Sequence, residues 1–214
     1  MHKGSHEVIK VEQRSKGTFE LVLERKGLKF TAGQCVNIGI PNTGINREYS
    51  TYSGESEDSL RFLIREVDHG QLTPKLANLK PGETVEVDGS YGLFTLEKPE
   101  DTSREYVFIG TGTGIAPFHC FVKSYPHIKA RVIHGIRFVN ESYDRSDYQN
   151  YLCCTSQDDK GDFSGRVTDY LQQANIDTEA YYYLCGNRNM INDVYDILRA
   201  NQVSGSQIIT ETFF

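Results

Sequence analysis

Two short runs of this 214-residue chain carry residue types that bind flat, phosphorylated ligands. In Arg47-Glu48-Tyr49-Ser50 the arginine pairs bidentately with a phosphate, the tyrosine ring stacks on a flat heterocycle and the serine hydroxyl hydrogen-bonds a ring nitrogen. Three such contacts on one short strand would hold a flavin. Read as packing alone, the same four residues are a surface arginine, a core tyrosine and a turn serine. The second run, Gly110-Thr111-Gly112-Thr113-Gly114-Ile115-Ala116-Pro117, follows the apolar stretch Tyr106-Val107-Phe108-Ile109. A tight glycine turn between a strand and a helix start converges unsatisfied N–H groups on an anion, at the positive end of the helix dipole. Ile115 stands where the ordinary G-x-G-x-x-G fingerprint needs its third glycine, so that fingerprint is set aside.

Three further runs extend the pattern. Gly70-Gln71-Leu72-Thr73 offers backbone N–H groups and a hydroxyl to a pyrophosphate at the start of a short helix. Cys185-Gly186-Asn187-Arg188-Asn189-Met190 is a second strand-to-helix turn. The chain ends Glu211-Thr212-Phe213-Phe214, and terminal aromatics, which would fray in water, are expected to dock on something flat.

The elements that must position these runs fall into two rhythms. Up to about Leu96 the chain alternates in short runs broken by Gly, Pro and Asn, such as Phe19 to Leu23, Gln34 to Ile38, Leu60 to Ile64 and Thr84 to Val87, which predicts an antiparallel β-barrel. One short helix, Leu72 to Leu79, interrupts it before Pro81-Gly82. From Tyr106 apolar strands alternate with helix-length segments, which predicts a parallel-sheet, Rossmann-like α/β domain. Its strands are Tyr106 to Ile109, Ala130 to His134, Asn150 to Thr155 and Tyr181 to Cys185. Its helices are Ala116 to Ser124, Ser142 to Gln149, Arg166 to Ala174 and Met190 to Asn201. The polar stretch from Glu97 to Arg104 reads as a linker, giving domains over 1–98 and 104–214.

Composition narrows the function. A net charge of −6 and a pI near 5.5 argue against nucleic acid as a partner, which needs a concentrated basic face. No apolar stretch approaches the ~20 residues that span a bilayer, and the first residues lack an apolar signal core, so a cytoplasmic protein without membrane insertion is expected. Cys35, Cys120, Cys153, Cys154 and Cys185 have no C-x-x-C spacing and predict reduced thiols. His2 and His6 share a chelating spacing, but the intervening Gly4-Ser5 predicts a flexible tail, and no metal site is expected. Neither a nucleophile elbow nor a P-loop is present.

R-x-Y-S, G-x-x-[ST], G-T-G-x-[GA]-x-A-P, C-G-N-x-x-M and a C-terminal aromatic occur here in one order over nearly the whole length, and in this the chain resembles the ferredoxin–NADP reductase family, bacterial flavodoxin/ferredoxin–NADP reductases in particular. The resemblance implies an FAD-binding barrel, an NADP(H)-binding α/β domain and hydride transfer between nicotinamide and flavin in the cleft between them. It implies that Arg47 neutralises the flavin phosphate, Glu48 lies within the cofactor motif, Tyr49 stacks on the flavin and Ser50 hydrogen-bonds its N5. Leu63, Ile64 and Arg65 would line the flavin, and Gly70, Gln71, Leu72 and Thr73 would hold the pyrophosphate. Gly112 and Gly114 would meet the nucleotide, Thr113 would contact both cofactors near the domain boundary, and Cys185 with Gly186 would lie beside the nicotinamide. Glu211 would complete the polar side, and Phe213 or Phe214 would cover the flavin ring. Ser50, Cys185 and Glu211 would be the catalytic residues.

For the nicotinamide, a carboxylate at the end of the second strand selects NAD and an arginine accommodates the 2′-phosphate of NADP. That strand ends His134-Gly135-Ile136-Arg137, and Arg137 favours NADPH. Arg166 resembles a second phosphate-facing arginine of NADPH-using relatives, and Ser156-Gln157 stands where they carry Ser-Arg. Each arginine is equally readable as a solvated surface residue. No cysteine pattern for a fused iron–sulfur cluster exists, so electrons are expected to leave to a separate ferredoxin or flavodoxin. Arg14, Lys16, Arg25, Lys26 and Lys29 read either as a basic docking face for such a partner or as a solvated strand face. The alternatives are an NADH-dependent reductase component of an oxygenase and a non-catalytic interaction subunit that keeps the fold.

Overall fold

In the computed structural model, which describes residues 2–213, the chain divides into two compact units. One runs up to Leu96 and includes His119–Ser124; the other comprises Glu97–Phe118 and the chain from Tyr125 onward.

The first unit is a six-stranded antiparallel sheet built from β1 (His2–Ser15), β2 (Thr18–Glu24), β3 (Cys35–Gly39), β4 (Asn46–Ser50), β5 (Ser59–Arg65) and β6 (Thr84–Tyr91), in the order β4-β3-β6-β1-β2-β5. Alternate residues Phe19, Leu21 and Leu23 on β2, Phe62 and Ile64 on β5, and Val85 and Val87 on β6 are buried, the period-two signature of a sheet with one packed face. Beyond β4 the Tyr52 amide donates to the Arg61 carbonyl at 2.8 Å, which draws the two ends of the sheet together as a barrel. The short helix α1 (Thr73–Ala77) crosses between β5 and β6.

The first residues are not a flexible tail. Gly4 and Ser5 pair with Val87 and Glu86 of β6, and β1 then continues along β2 from Val8 to Ser15. Lys3, Ser5 and Glu7 are exposed while His6 and Val8 are buried, and the His6 ring nitrogen Nδ1 meets the Glu24 carbonyl at 2.6 Å. Small polar residues read as disorder, but an edge needing partners ordered them.

The second unit is a six-stranded parallel sheet of β7 (Glu105–Thr111), β8 (Lys129–Ile136), β9 (Tyr151–Thr155), β10 (Phe163–Ser164), β11 (Tyr181–Gly186) and β12 (Ile208–Thr212), in the order β10-β9-β8-β7-β11-β12. The helices are α3 (Val167–Leu171) and α4 (Arg188–Ala200), together with the start of α2 (Ala116–Ser124), whose residues from His119 belong to the first unit. Met190, Ile191, Val194 and Leu198 form the buried stripe of α4 and pack with Ile109, Ile133 and Leu184 of the sheet. The segment from Glu97 is fixed to this unit: the Glu97 amide meets the Tyr183 hydroxyl at 3.0 Å, and the Tyr106 hydroxyl donates to the Glu97 and Lys98 carbonyls.

Between Ser142 and Gln149 there is no α-helix. A 3₁₀ turn, Arg145–Asp147, stands there instead, after a second one just ahead of the segment, Val139–Glu141, with Asp144 at φ +45° between them. Tyr143 and Tyr148 are the buried aromatics there, a spacing that no single helix face supplies, and Arg145 is fixed by a two-pronged pair to Asp162 at 2.9 Å. β12 lies in a stretch the sequence offered only as a tail.

Candidate cofactor-binding sites

On β4 the side chains alternate, so Arg47 and Tyr49 share one face and Glu48 and Ser50 the other. Arg47 and Glu48 are exposed, and the Arg47 guanidinium donates to the Asn46 carbonyl at 2.7 Å. Ser50 is buried. The Tyr49 hydroxyl is buried with no hydrogen-bond partner. Burial raises its pKa to about 12 against the opposing pull of the Arg47 charge, so the group is a neutral donor and acceptor. A buried hydroxyl left unpaired costs about 1–3 kcal/mol, which a bound polar group would recover. The residues present therefore fit a phosphorylated, hydrogen-bonding ligand.

On β5, Leu63 and Ile64 are buried and Arg65 is exposed. The Gly70 turn is closed by its own amide, which donates to the Val67 carbonyl at 2.8 Å, and the Val67 amide donates to the Thr73 hydroxyl oxygen at 2.9 Å. Thr73 is thereby oriented with its own hydroxyl hydrogen still available. Leu72 is buried beneath the turn and Gln71 is exposed.

In the second unit the parallel register sets Cys185 beside Gly110 on one side and beside Glu211 on the other. Three sequence-distant motifs thus end at one edge of the sheet, the carboxyl edge. The turns interlock through backbone: a Cβ on Gly114 would lie 2.4 Å from the Cys185 carbonyl oxygen, and one on Gly186, at φ +134°, would lie 2.4 Å from Thr111 Oγ1. Glycine is required at both positions by close approach. The Asn187 amide donates to Thr111 Oγ1 at 3.3 Å, and the Asn187 side chain caps α4 by accepting from the Asn189 amide at 2.9 Å. From β7 the chain runs to β8, β9 and β10 on one side and then to β11 on the other, so the two turns stand at the topological switch point, where open α/β sheets bind ligands. The Cys185 thiol is fully buried, and burial with the nearby Glu211 charge pushes its pKa well up, so it stays protonated.

Arg137, Ser156 and Arg166 follow the neighbouring strands β8, β9 and β10. The Ser156 amide donates to the Ile136 carbonyl at 3.0 Å and the Gln157 amide to the Arg137 carbonyl at 2.9 Å, which brings Ser156 alongside Arg137. The Arg137 guanidinium is engaged by the buried Glu141, Nη2 to Oε1 at 3.3 Å, and Glu141 also accepts the Arg137 amide at 3.0 Å. Arg166 is exposed, and its amide donates to Asp169 at 2.8 Å. The Phe213 amide donates to the Gly186 carbonyl at 2.9 Å, which ties the end of the chain to the same turn; Phe214 lies outside the described residues.

Sequence reasoning missed Glu141 and the buried His134. His134 had a signal, a polar residue at a buried position of the apolar run Val132-Ile133-His134; Glu141 had none. Part of the basic barrel face is spent internally: Arg14 pairs with Glu20, Lys26 with Glu24, and Arg25 donates to the Leu28 and Glu57 carbonyls. Among the described residues no group of three or more His, Cys, Asp or Glu could hold a metal ion, and no helix is long and apolar enough to cross a membrane.

Residues 6–96 match the family model described as an oxidoreductase FAD-binding domain. The flavodoxin/ferredoxin–NADP reductase of Buchnera aphidicola subsp. Schizaphis graminum is 25% identical, over 91% of this chain and 90% of its own. The toluate 1,2-dioxygenase electron transfer component of Pseudomonas putida is 25% identical, over 96% of this chain and 66% of its own. A ferredoxin NADP+ reductase from Neisseria gonorrhoeae, solved with bound FAD and NADP, shares the fold with a TM-score of 0.86 at 21% identity, over 99% of each chain. The chain thus carries an oxidoreductase FAD-binding domain over residues 6–96 and, along almost its whole length, is similar to flavodoxin/ferredoxin–NADP reductases.

Proposed function

We propose that the chain is an NADPH-dependent reductase that holds FAD on its barrel, over 1–98, binds NADP(H) on the α/β domain, over 104–214, and exchanges electrons with a separate ferredoxin or flavodoxin. Bound FAD would supply the exchange between a two-electron hydride and single electrons. The protein supplies distance and orientation. Arg47 neutralises the phosphate, Tyr49 stacks and satisfies its buried hydroxyl, Ser50 hydrogen-bonds the ring edge, and Leu63, Ile64 and Arg65 line the ring. Gly70 to Thr73 bind the pyrophosphate of FAD. Gly112 to Gly114 and Gly186 present backbone to the nicotinamide dinucleotide, while Cys185 and Glu211 set the nicotinamide's place. Phe213 or Phe214 shields the flavin ring from water. Arg137, Ser156 and Arg166 form the 2′-phosphate site.

The observation that supports this reading most is the register that aligns Gly110, Cys185 and Glu211 at the switch point. Free, buried cysteines suit a cytoplasmic setting. A second reading, an NADH-dependent component of an oxygenase, is favoured by the Glu141–Arg137 pair, which partly spends the charge that a 2′-phosphate would need. The kcat/KM ratio for NADPH over NADH separates the two: a ratio well above one is expected, and a preference for NADH overturns the assignment. Protein that stays colourless after addition of FAD overturns the flavin site as well.

A further inference from the structure

His134 is fully buried on β8, under the glycine-rich turn rather than in it. Its Nε2 lies 2.8 Å from the Gly112 carbonyl oxygen and its Nδ1 lies 2.6 Å from the Tyr151 hydroxyl. A carbonyl oxygen only accepts, so Nε2 carries the proton and donates it to Gly112. Nδ1 is then a lone pair, and the Tyr151 hydroxyl donates to it. Burial lowers the His134 pKa to about 4, which keeps this neutral tautomer at working pH. The Tyr151 ring meets the imidazole edge-on at a centroid distance of 5.9 Å, and the Arg145 guanidinium lies over the same ring at 5.3 Å.

The bond is made to the residue of the turn that adopts a positive φ. Gly112 sits at φ +54° at the head of the 3₁₀ turn Gly112–Ile115 that leads into α2. A trans peptide is planar, with its C=O and the next N–H antiparallel. Holding the Gly112 carbonyl toward His134 therefore turns the Thr113 N–H the opposite way, and at the first turn of a helix that N–H has no intrahelical acceptor.

From this geometry we infer that His134, itself oriented by Tyr151, is a positioning residue that aims the Thr113 amide at the pyrophosphate of the nicotinamide dinucleotide. The inference rests on the nucleotide-binding reading above and adds a residue outside the turn that sets the aim. Without the donor at Nε2, the Gly112 peptide is free to rotate and the amide loses its fixed direction. Affinity falls for ligands that carry a pyrophosphate and not for those that lack one.

The test is titration calorimetry on the FAD-loaded protein with two probes, NADP+ and adenosine 2′-monophosphate, which shares the 2′-phosphate but has no pyrophosphate. His134→Leu is expected to weaken NADP+ about tenfold and leave adenosine 2′-monophosphate within about twofold, with kcat at saturating NADPH nearly unchanged. His134→Gln, which restores a donor near Nε2, recovers most of the NADP+ affinity. Tyr151→Phe keeps the packed ring and gives a smaller loss with the same probe dependence, so the inference stays testable if the leucine variant does not fold. Equal NADP+ affinity in wild type and both His134→Leu and Tyr151→Phe, or parallel loss of both probes, overturns the positioning role. A wild-type protein that binds neither probe overturns the nucleotide-binding reading itself, a different result from either.

Discussion

On β4 the Tyr49 hydroxyl is buried without a partner, and the Arg47 guanidinium is bonded to its neighbour's carbonyl. Where β7 and β11 end, the backbone of one turn already fills the space a methyl group would need on the other. The first region is made of side chains, one of them with a hydrogen bond left open; the second is made of main chain whose shape is complete beforehand. The two regions therefore fail in different ways. Side-chain sites lose affinity in steps, while interlocked turns lose their geometry as a whole.

The largest effect belongs to the interlock. Gly186→Ala places a Cβ against Thr111 Oγ1 at a φ that L residues rarely adopt, and should cost roughly 3 kcal/mol in denaturant unfolding and nearly all dinucleotide binding. A variant as stable as wild type that still binds NADP+ would erase the distinction between the two regions.

Acid should reach the second region next. His134 has a folded pKa of about 4 against about 6.5 unfolded, so the unfolded chain binds more protons between those values. The stabilisation is full above pH 6.5 and is lost as pH falls toward 4, by up to roughly 3 kcal/mol. The groups facing the ring are the Tyr151 hydroxyl, the Gly112 carbonyl and the Tyr143 ring, none of which supplies a compensating negative charge. Stability curves of wild type and His134→Gln between pH 4 and 7 should diverge, the variant being flatter.

On β4 the expected effects are smaller and fall on the FAD-bound form rather than on the cofactor-free protein. Arg47→Ala should weaken FAD by about 2 kcal/mol, roughly thirtyfold, with little change in the stability of the cofactor-free protein. Tyr49→Phe should leave that stability equal or about 1 kcal/mol higher, since an unpaired hydroxyl is removed, while FAD dissociates several-fold faster. A Tyr49→Phe protein that is destabilised without FAD would mean the hydroxyl already has a partner.

The smallest effect tests a side-chain site within the second unit. Glu141→Gln leaves a hydrogen-bonding group beside Arg137 but removes the opposing charge, and should shift the NADPH-to-NADH ratio upward by a few-fold without altering kcat.

The sequence made the two architectures legible because their hydrophobic periods differ. α2 came out with its observed bounds, since Pro117 falls in its first turn and its apolar positions recur on one face. The glycine turns were legible too, because close approach leaves no other residue type. What escaped was decided by partners far along the chain. The start of β1 is ordered by β6, some eighty residues on, and β12 by β11. The segment after Ser142 lost its helix to buried tyrosines and an ion pair with Asp162. The Glu141 hold on Arg137 shows the limit at a site: an arginine in the expected place says nothing about whether its charge is already spent.

One feature of the sulfur chemistry bears on how such a protein lasts. Flavoproteins working in air leak reducing power to dioxygen, and hydrogen peroxide is made where they stand. Peroxide is attacked by the thiolate, and the rate follows exposure and ionisation. All five cysteines are buried, and Cys120, Cys153, Cys154 and Cys185 are held protonated by burial, Cys185 further so by Glu211. The sulfur that sits where β11 meets the glycine turns is thereby kept from becoming the first casualty of such peroxide.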